Sequence, residues 1–395
     1  MIQEIRIKNF MSFKDEVVIS FEATKDTFAE DSQVVKINDK TRLLRFAVVY
    51  GYNASGKSNL LKAIEFLSNF LNCQPDDMNL ETGVVPFKLD TQSPFEHTMF
   101  EVIFYVGTIK YTYLLELDSK QVYLEKLSYY KTEQPTMLFD RRNQNGQSVI
   151  SFNSALKISK IVNESITVNC LKNMSVFAAR GQVNTTIPLI DNAKNYFYNQ
   201  VESLIRPSSN LSKGIKSMLT KDKQFLNYVL NFLREADFNI SDVASWPDNE
   251  TIVIHSVENE KGIKKYDLCL DEGEESLGTL KTLGIEMNIY RSLQSNSFLP
   301  IDEIETSLHP KLLEKILYEF LKVKNSRSQL IVTTHNDGLL DLTDDLIRKD
   351  SVWFTEKQKN GSTELYKLTD FKGVNRLSSI REAYRNKRFG ATMNN

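Results

Sequence analysis

A chain of 395 residues is too long for one small domain and long enough to bury a substantial core. Hydrophobic residues at 41%, charged residues at 25% and only 15 Gly and 9 Pro exclude a fibrous or largely disordered protein. With 49 Lys and Arg against 51 Asp and Glu the net charge is −2, which excludes a strongly positive overall field toward nucleic acid or acidic lipid and leaves room only for a local basic groove.

In residues 2–22, Ile5, Ile7 and Phe10 precede a polar break and Val17, Ile19 and Phe21 follow it, which predicts an antiparallel strand pair. Residues 43–50 form a nearly continuous apolar run, the pattern of a strand buried on both faces, and end at Gly51. Leu60, Ile64, Leu67 and Leu71 then fall on one side of a helix that begins at Lys57. From Met99 to Phe152, short strands alternate with turns at Gly107-Thr108, Asp118-Ser119-Lys120 and Asn143 to Gly146, a β-meander. Residues 155–242 change to helical spacing, clearest in Phe225, Leu226, Val229, Leu230 and Leu233, with a polar break at Pro207 to Asn210. A hairpin over 251–257 and 264–270 leads into a helix over 277–293. Buried strands at 298–301 and 330–334 flank a helix whose first turn holds Pro310, where a missing N–H costs nothing.

Cys73, Cys170 and Cys269 lie about a hundred residues apart, a spacing that suits neither a disulfide framework nor a compact zinc site and points to a reducing cytosol. The opening Met1-Ile-Gln-Glu-Ile-Arg-Ile-Lys8 alternates charge with aliphatics, unlike a signal peptide, and no apolar run reaches membrane-spanning length. A cytoplasmic protein with no membrane partner is the expectation.

Gly51-Tyr-Asn53-Ala54-Ser55-Gly56-Lys57-Ser58 matches G-x-x-x-x-G-K-[ST] between the buried strand and the amphipathic helix, where that pattern has its physical meaning. Glycines let backbone N–H groups wrap phosphate oxygens, the helix N-terminus adds positive potential, Lys57 reaches the β and γ phosphates, and Ser58 offers a hydroxyl to Mg²⁺. Asn59 continues the helix start and joins the candidate binding set.

The strand at 298–301 runs into Asp302 and Glu303, and strict alternation would send one acid to each face of the sheet. Asp302 is the candidate for the magnesium shell and Glu303 for orienting or deprotonating water. The strand at 330–334 ends at His335, placed to touch a γ-phosphate. Alone, such an acidic pair reads as a solvated loop and such a His as structural; the glycine loop makes them a set.

Together these motifs resemble the ABC-type ATPase heads of SMC, RecF and OLD-like proteins, and most closely the single-chain AAA ATPases of bacterial anti-phage, abortive-infection operons of the AbiL and RloA types. The resemblance covers nearly the whole chain and rests on Ile5 to Phe13, Gly51 to Ser58, Glu275 to Thr279, Asp302-Glu303, Ser307 to Pro310, Thr334-His335 and Arg388-Phe389-Gly390. It implies an α/β fold, an SMC-like head with a P-loop core sheet, an antiparallel meander and a helical insertion. The implied division is an N-terminal ATPase lobe over 1–155, a helical insertion over 156–245 and a C-terminal ATPase lobe over 246–395. It also implies ATP and Mg²⁺ as ligands, Ser276, Gly278 and Thr279 as a signature motif contacting the γ-phosphate of another protomer, Ser307 to His309 as a D-loop, and hence a homodimer or higher even-numbered oligomer. Read without the neighbours, Ser276 is a plain helix N-cap.

Three departures stand out. Pro300 interrupts the Asp302 strand and removes a ladder hydrogen bond from what reads as a central position. No glutamine stands out as a Q-loop residue, and Gln92 reads as a surface-loop residue. The insertion carries no sustained heptads, so long coiled-coil arms are absent. After His335 only Asp341, Asp344 and Asp345 cluster, which reads as a solvated helix face and not as a nuclease centre, so by resemblance the effector chemistry, nuclease or toxin, belongs to a separate partner protein. The expected function is an ATP-dependent regulator of anti-phage defence. The alternative is a RecF-like or SMC-like DNA clamp in repair or recombination, with nucleic acid as the partner; the C-terminal run Arg376, Arg381, Arg385, Lys387 and Arg388 could serve either docking role or be a solvated basic face.

Overall fold

The structure is a computed structural model and describes residues 1–144, 147–209, 211, 215, 218–219, 221–236, 240–245, 251–259, 262–269 and 277–391. The chain opens with β1 (Ile2–Lys8) and β2 (Val17–Ser20), paired antiparallel, then a short helix α1 (Glu30–Gln33) and the strands β3 (Val34–Lys36), β4 (Arg42–Leu44) and β5 (Phe46–Tyr50). Helix α2 (Lys57–Asn72) follows the glycine loop, and the meander is β6 (Thr98–Val106), β7 (Ile109–Leu117), β8 (Val122–Tyr130), β9 (Pro135–Gln144) and β10 (Gln147–Phe152). Helices α3 (Lys160–Asn169), α4 (Val176–Arg180), α5 (Pro188–Asn199) and α6 (Lys223–Glu235) lead to a three-stranded antiparallel sheet of β11 (Ile240–Ser245), β12 (Thr251–Asn259) and β13 (Gly262–Cys269). The last third holds α7 (Leu277–Ser295), β14 (Phe298–Ile301), α8 (Pro310–Lys322), β15 (Gln329–Thr333), β16 (Val352–Lys357), β17 (Thr363–Lys367) and α9 (Ile380–Arg385).

Two sheets organise these elements. The first two strands extend the meander into one antiparallel sheet of order β10-β9-β8-β7-β6-β1-β2. The core sheet has order β14-β15-β5-β16-β17, parallel except for β17, so β5 lies at its centre, paired with the strands that end at Thr333 and Lys357. Alternation in β5 explains why its whole sequence is apolar. Ala47 and Val49 enter the core shared with the antiparallel sheet and α2, while Phe46, Val48 and Tyr50 enter the core shared with α8 on the opposite face. The mixed α/β head expected from the motifs is therefore the observed architecture.

Residues 43–50 do not form one strand. Arg45 divides them: its N–H donates to the Gln33 carbonyl at 2.9 Å, and its buried guanidinium donates to the carbonyls of Ser32 (2.7 Å) and Ser328 (3.2 Å) while lying over the Phe320 ring. Leu43 and Leu44 thus pair with β3, and only Phe46 onward joins the core sheet.

The stretch read as a helical insertion is shared between the two hydrophobic cores. Ile166, Phe177, Ile190, Ala193 and Phe197 from α3, α4 and α5 pack into the core of α2 and the meander, whereas Phe225, Val229 and Leu233 of α6 join the core around α7 and α8. Between them, residues 200–205 run beside β14, where Glu202 N–H donates to the Phe298 carbonyl (2.9 Å) and Ile205 N–H to the Pro300 carbonyl (3.0 Å). Phe298, Pro300 and Asp302 turn their backbone groups toward this segment, so the N–H that Pro300 lacks is not taken from the β15 ladder. That corrects the expectation of a broken central strand.

Within the meander, β8 and β9 share a fully buried ion pair, Glu125 with Arg141 at 3.2 Å, and α4 is tied to it. Glu125 also accepts from the Val176 N–H (2.9 Å) and the Tyr113 hydroxyl (2.9 Å), and Arg141 donates to the Leu171 carbonyl (2.9 Å) and Ser148 Oγ (2.8 Å). Burial pushes the Glu125 carboxyl up, against the pull of Arg141. Arg141→Met is expected to strand a buried carboxylate and cost about 3–5 kcal/mol, and adding Glu125→Gln is expected to recover part of the loss. Urea denaturation of the single and double variants checks both statements.

Cys73 and Cys170 are free thiols, and Cys269 lies where side chains fall outside the described residues. Among the described residues no helix is long and apolar enough to cross a membrane.

Candidate nucleotide site

β5 delivers the glycine loop to the top of the core sheet, and α2 begins at Lys57 because Gly56 adopts φ 107°, which a side chain would oppose. Gly51 meets a different constraint: a Cβ there would collide with the hydroxyls of Ser55 and Thr355. A cleft of about 810 Å³ opens in front of the loop, lined by residues 53–59, Met11, Ser12, Lys62, residues 85–89, Glu303, His335, Lys357 and Gly361. A larger cleft of about 1030 Å³, between Thr24 to Asp26 and residues 369–376, contains none of the motif residues.

The Lys57 ammonium donates to the carbonyls of Gly51 (2.8 Å) and Tyr52 (3.3 Å). Burial lowers its pKa to about 8, against the opposing pull of Glu303, Glu305 and Asp302. Ser58 Oγ donates to Asp302 Oδ1 at 3.0 Å, so the hydroxyl and the carboxylate suggested for magnesium are neighbours although they lie 244 positions apart. Hard oxygen donors of this kind suit Mg²⁺.

Asp302 and Glu303 are not disposed by strand alternation. β14 ends at Ile301, and Glu303 takes a left-handed conformation with φ 46°. Thr333, at the end of the neighbouring β15, orders the turn: its hydroxyl donates to Asp302 Oδ1 (2.6 Å) and accepts from the Glu303 N–H (2.8 Å). Asp302 is buried and faces Ser58, and Glu303 is partly exposed with Oε1 3.9 Å from His335 Nε2. The His335 main-chain N–H donates to the Glu305 carboxylate, and burial followed by the Lys57 charge holds the imidazole below its ordinary pKa against Glu305, Glu303 and Asp302.

Other sequence candidates take different places. Asn53 and Ala54 are exposed at the mouth of the loop. Ser55 is buried and turns its hydroxyl to Thr355 (2.7 Å), and Asn59 donates to Ser12 Oγ (2.9 Å). Gly278 and Thr279 stand in the first turn of α7 and do not line this cleft; Ser276 lies outside the described residues. His309 caps α8, its Nδ1 accepting from the Lys311 N–H at 3.3 Å. Gln92 is exposed in a loop, and it is residues 85–89 that line the cleft.

The C-terminal charges are largely exposed, as a solvated face requires, and part of them pair across the surface. Arg381 binds Asp337 (3.2 Å) and Asp341 (2.7 Å), and Arg385 binds Asp337 (2.5 Å), so α9 is clasped to the segment that follows His335, while Asp344 pairs with Lys349 (2.5 Å). Thr333, Thr355, Thr363, Ser12 and Glu305 are the site-forming residues that the sequence reading left without roles.

Solved structures similar to the chain include the SMC head domain from Thermotoga maritima, 16% identical over 93% of this chain and 98% of that one, with a TM-score of 0.43. An SMC head domain with an extended coiled coil, bound to the C-terminal domain of ScpA and derived from Pyrococcus furiosus, is 12% identical over 98% of both chains, with a TM-score of 0.44. No curated protein matches the sequence. A family model matches residues 46–166 and 174–341, a span that contains the glycine loop, Asp302, Glu303 and His335, and the chain therefore belongs to the family described as "AAA domain, putative AbiEii toxin, Type IV TA system".

Proposed function

We propose that the chain binds and hydrolyses ATP with Mg²⁺, that two copies close around the nucleotide, and that this cycle controls a separate effector, a nuclease or toxin, in a bacterial anti-phage system. The observation that carries the reading is the meeting of Lys57, Ser58, Glu303 and His335, from three separate sheet-end turns, around one cleft, with Asp302 bonded to Ser58 behind its wall. The family's description names an AAA domain, which supports the ATPase part of the reading, and a putative toxin of a Type IV TA system, which favours a toxin–antitoxin setting with the toxin role on this chain itself as the second reading.

Ser58 and Asp302 would hold Mg²⁺, which when bound spreads the charge of the triphosphate. Lys57 exchanges the Gly51 and Tyr52 carbonyls for phosphate oxygens. Glu303 orients water and takes its proton, and His335 hydrogen-bonds the γ-phosphate. The start of α7 at Gly278 and Thr279 would supply main-chain N–H groups to the cleft of the second copy.

Light scattering on the purified protein tests the pairing: a non-hydrolysable ATP analogue with Mg²⁺ is expected to convert monomers to dimers in the wild type, and monomers at saturation would count against the reading. Duplex DNA raising turnover without any partner protein would favour the clamp reading instead.

A pH dependence follows from Lys57. Binding needs the ammonium, whose pKa in the free protein is about 8, and a bound triphosphate raises it. Affinity is therefore expected to be flat below pH 8 and to fall as pH rises beyond it, approaching tenfold per unit, as calorimetric titration between pH 7 and 9.5 would read.

A further inference from the structure

The hairpin of β16 and β17 reaches the glycine loop with two hydroxyls that the proposed chemistry does not use. Thr355 Oγ1 lies 2.7 Å from Ser55 Oγ and donates to the Tyr50 carbonyl at 3.3 Å. Thr363 Oγ1 lies 2.8 Å from Ser12 Oγ and donates to the Ser55 carbonyl at 2.9 Å. The Thr363 hydroxyl has two acceptors in reach for its one proton, Ser12 Oγ, which also accepts from Asn59, and the Ser55 carbonyl of the loop; Ser55 can donate to Thr355, leaving the Thr355 proton for the strand end. The hairpin is itself held in place, since the Thr363 N–H donates to the Ser12 carbonyl at 2.8 Å. Ser55, Thr355 and Thr363 are all buried.

The two carbonyls that receive these hydroxyls precede the two glycines of the loop. A peptide unit is planar and trans, so its C=O and the next N–H point in opposite directions. Drawing the Ser55 carbonyl toward Thr363 therefore aims the Gly56 N–H away from the hairpin, and drawing the Tyr50 carbonyl toward Thr355 does the same for the Gly51 N–H. A Cβ on Gly56 would strike the Thr363 side chain and one on Gly51 would strike Thr355, so each threonine also fills the space its glycine leaves. Valine could fill that space; only a hydroxyl can also orient the peptide.

We propose that Thr363 and Thr355 are positioning residues for triphosphate binding, fixing the peptide orientation of the glycine loop from a hairpin 300 residues downstream. The inference rests on the nucleotide-binding reading above. Because the loop holds phosphate alike before and during hydrolysis, loss of either hydroxyl weakens binding and leaves the chemical step untouched.

The test compares wild type, Thr363→Val, Thr363→Ser and Thr355→Val for Kd toward a non-hydrolysable ATP analogue with Mg²⁺ and for kcat and KM of hydrolysis. The expected result is Kd and KM raised about tenfold in Thr363→Val, in line with one hydrogen bond, and by a smaller factor of about threefold in Thr355→Val, whose bond is longer at 3.3 Å, with kcat within about twofold and Thr363→Ser close to wild type. Valine variants with wild-type Kd, or a serine variant as weak as valine, would overturn the inference. Should Thr363→Val fail to fold, Thr355→Val carries the same comparison through the Tyr50 carbonyl. Wild type that does not bind the analogue would overturn the nucleotide reading as well, whereas binding by wild type and valine variants alike removes only the role of the hairpin.

Discussion

Lys57→Ala is expected to weaken ATP binding by roughly 100-fold or more, since its ammonium, held within the glycine loop itself, is the one placed to make at least two charge-assisted hydrogen bonds to phosphate oxygens there, whereas Lys62, Lys88 and Lys357 line the cleft outside the loop. Its two contacts in the present structure are to the loop's own carbonyls, Gly51 and Tyr52, so the loop already places acceptors where the ammonium sits. The fold should tolerate the change: the ammonium is held against a desolvation cost, as its lowered pKa shows, and removing it relieves that cost. Calorimetric titration with ATP, alongside a thermal melt, separates the two effects. Retained affinity with an unchanged melt would place the phosphates elsewhere.

Glu303→Gln is expected to leave ATP affinity within a few-fold of wild type and to lower kcat by roughly 10²–10⁴, the usual contribution of a positioned general base. Glutamine keeps the size of the side chain and accepts the same left-handed backbone, and the N–H bond to Thr333 is a main-chain contact that the substitution does not touch. The consequence for assembly is an ATP-bound dimer that outlives the mixing time, because the step that would open it has stalled. Single-turnover hydrolysis and light scattering on the same sample read both. Normal turnover would reassign the base, with Glu305, whose carboxylate receives the His335 N–H, as the nearest other acid on this turn.

Much of this site was legible because its first part is local in sequence. A glycine loop between a strand and a helix declares both its shape and its chemistry within eight residues, and Asp302, Glu303 and His335 are marked by strand ends. The geometry that unites them was not legible. Thr333, Thr355 and Thr363 sit in strands, where threonine is simply a good β-former, and only the folded core sheet shows that their hydroxyls face a carboxylate or a loop carbonyl. The disposition of Asp302 and Glu303 was misread for a related reason: alternation holds only while the strand continues, and β14 stops one residue earlier.

Arg45 shows the same limit in the fold. A single cation in an apolar run is invisible to periodicity, yet its main-chain bond to Gln33 is what assigns Leu44 and Phe46 to different sheets. Arg381 and Arg385 read as a basic surface because their acidic partners, Asp337 and Asp341, lie more than forty positions away or close to it, on the turn after His335.

The segment over residues 200–205 has an effect reaching past the interior of one molecule. A bare outermost strand offers unsatisfied amides to any neighbour and invites sheet extension from chain to chain. Here the flank of β14 is already occupied by the chain's own main chain, and proline deletes one of the amides that a visiting strand would need. Copies that meet on this side are left with side-chain complementarity as their means of adhesion, and such contacts can be made and released without unravelling either partner.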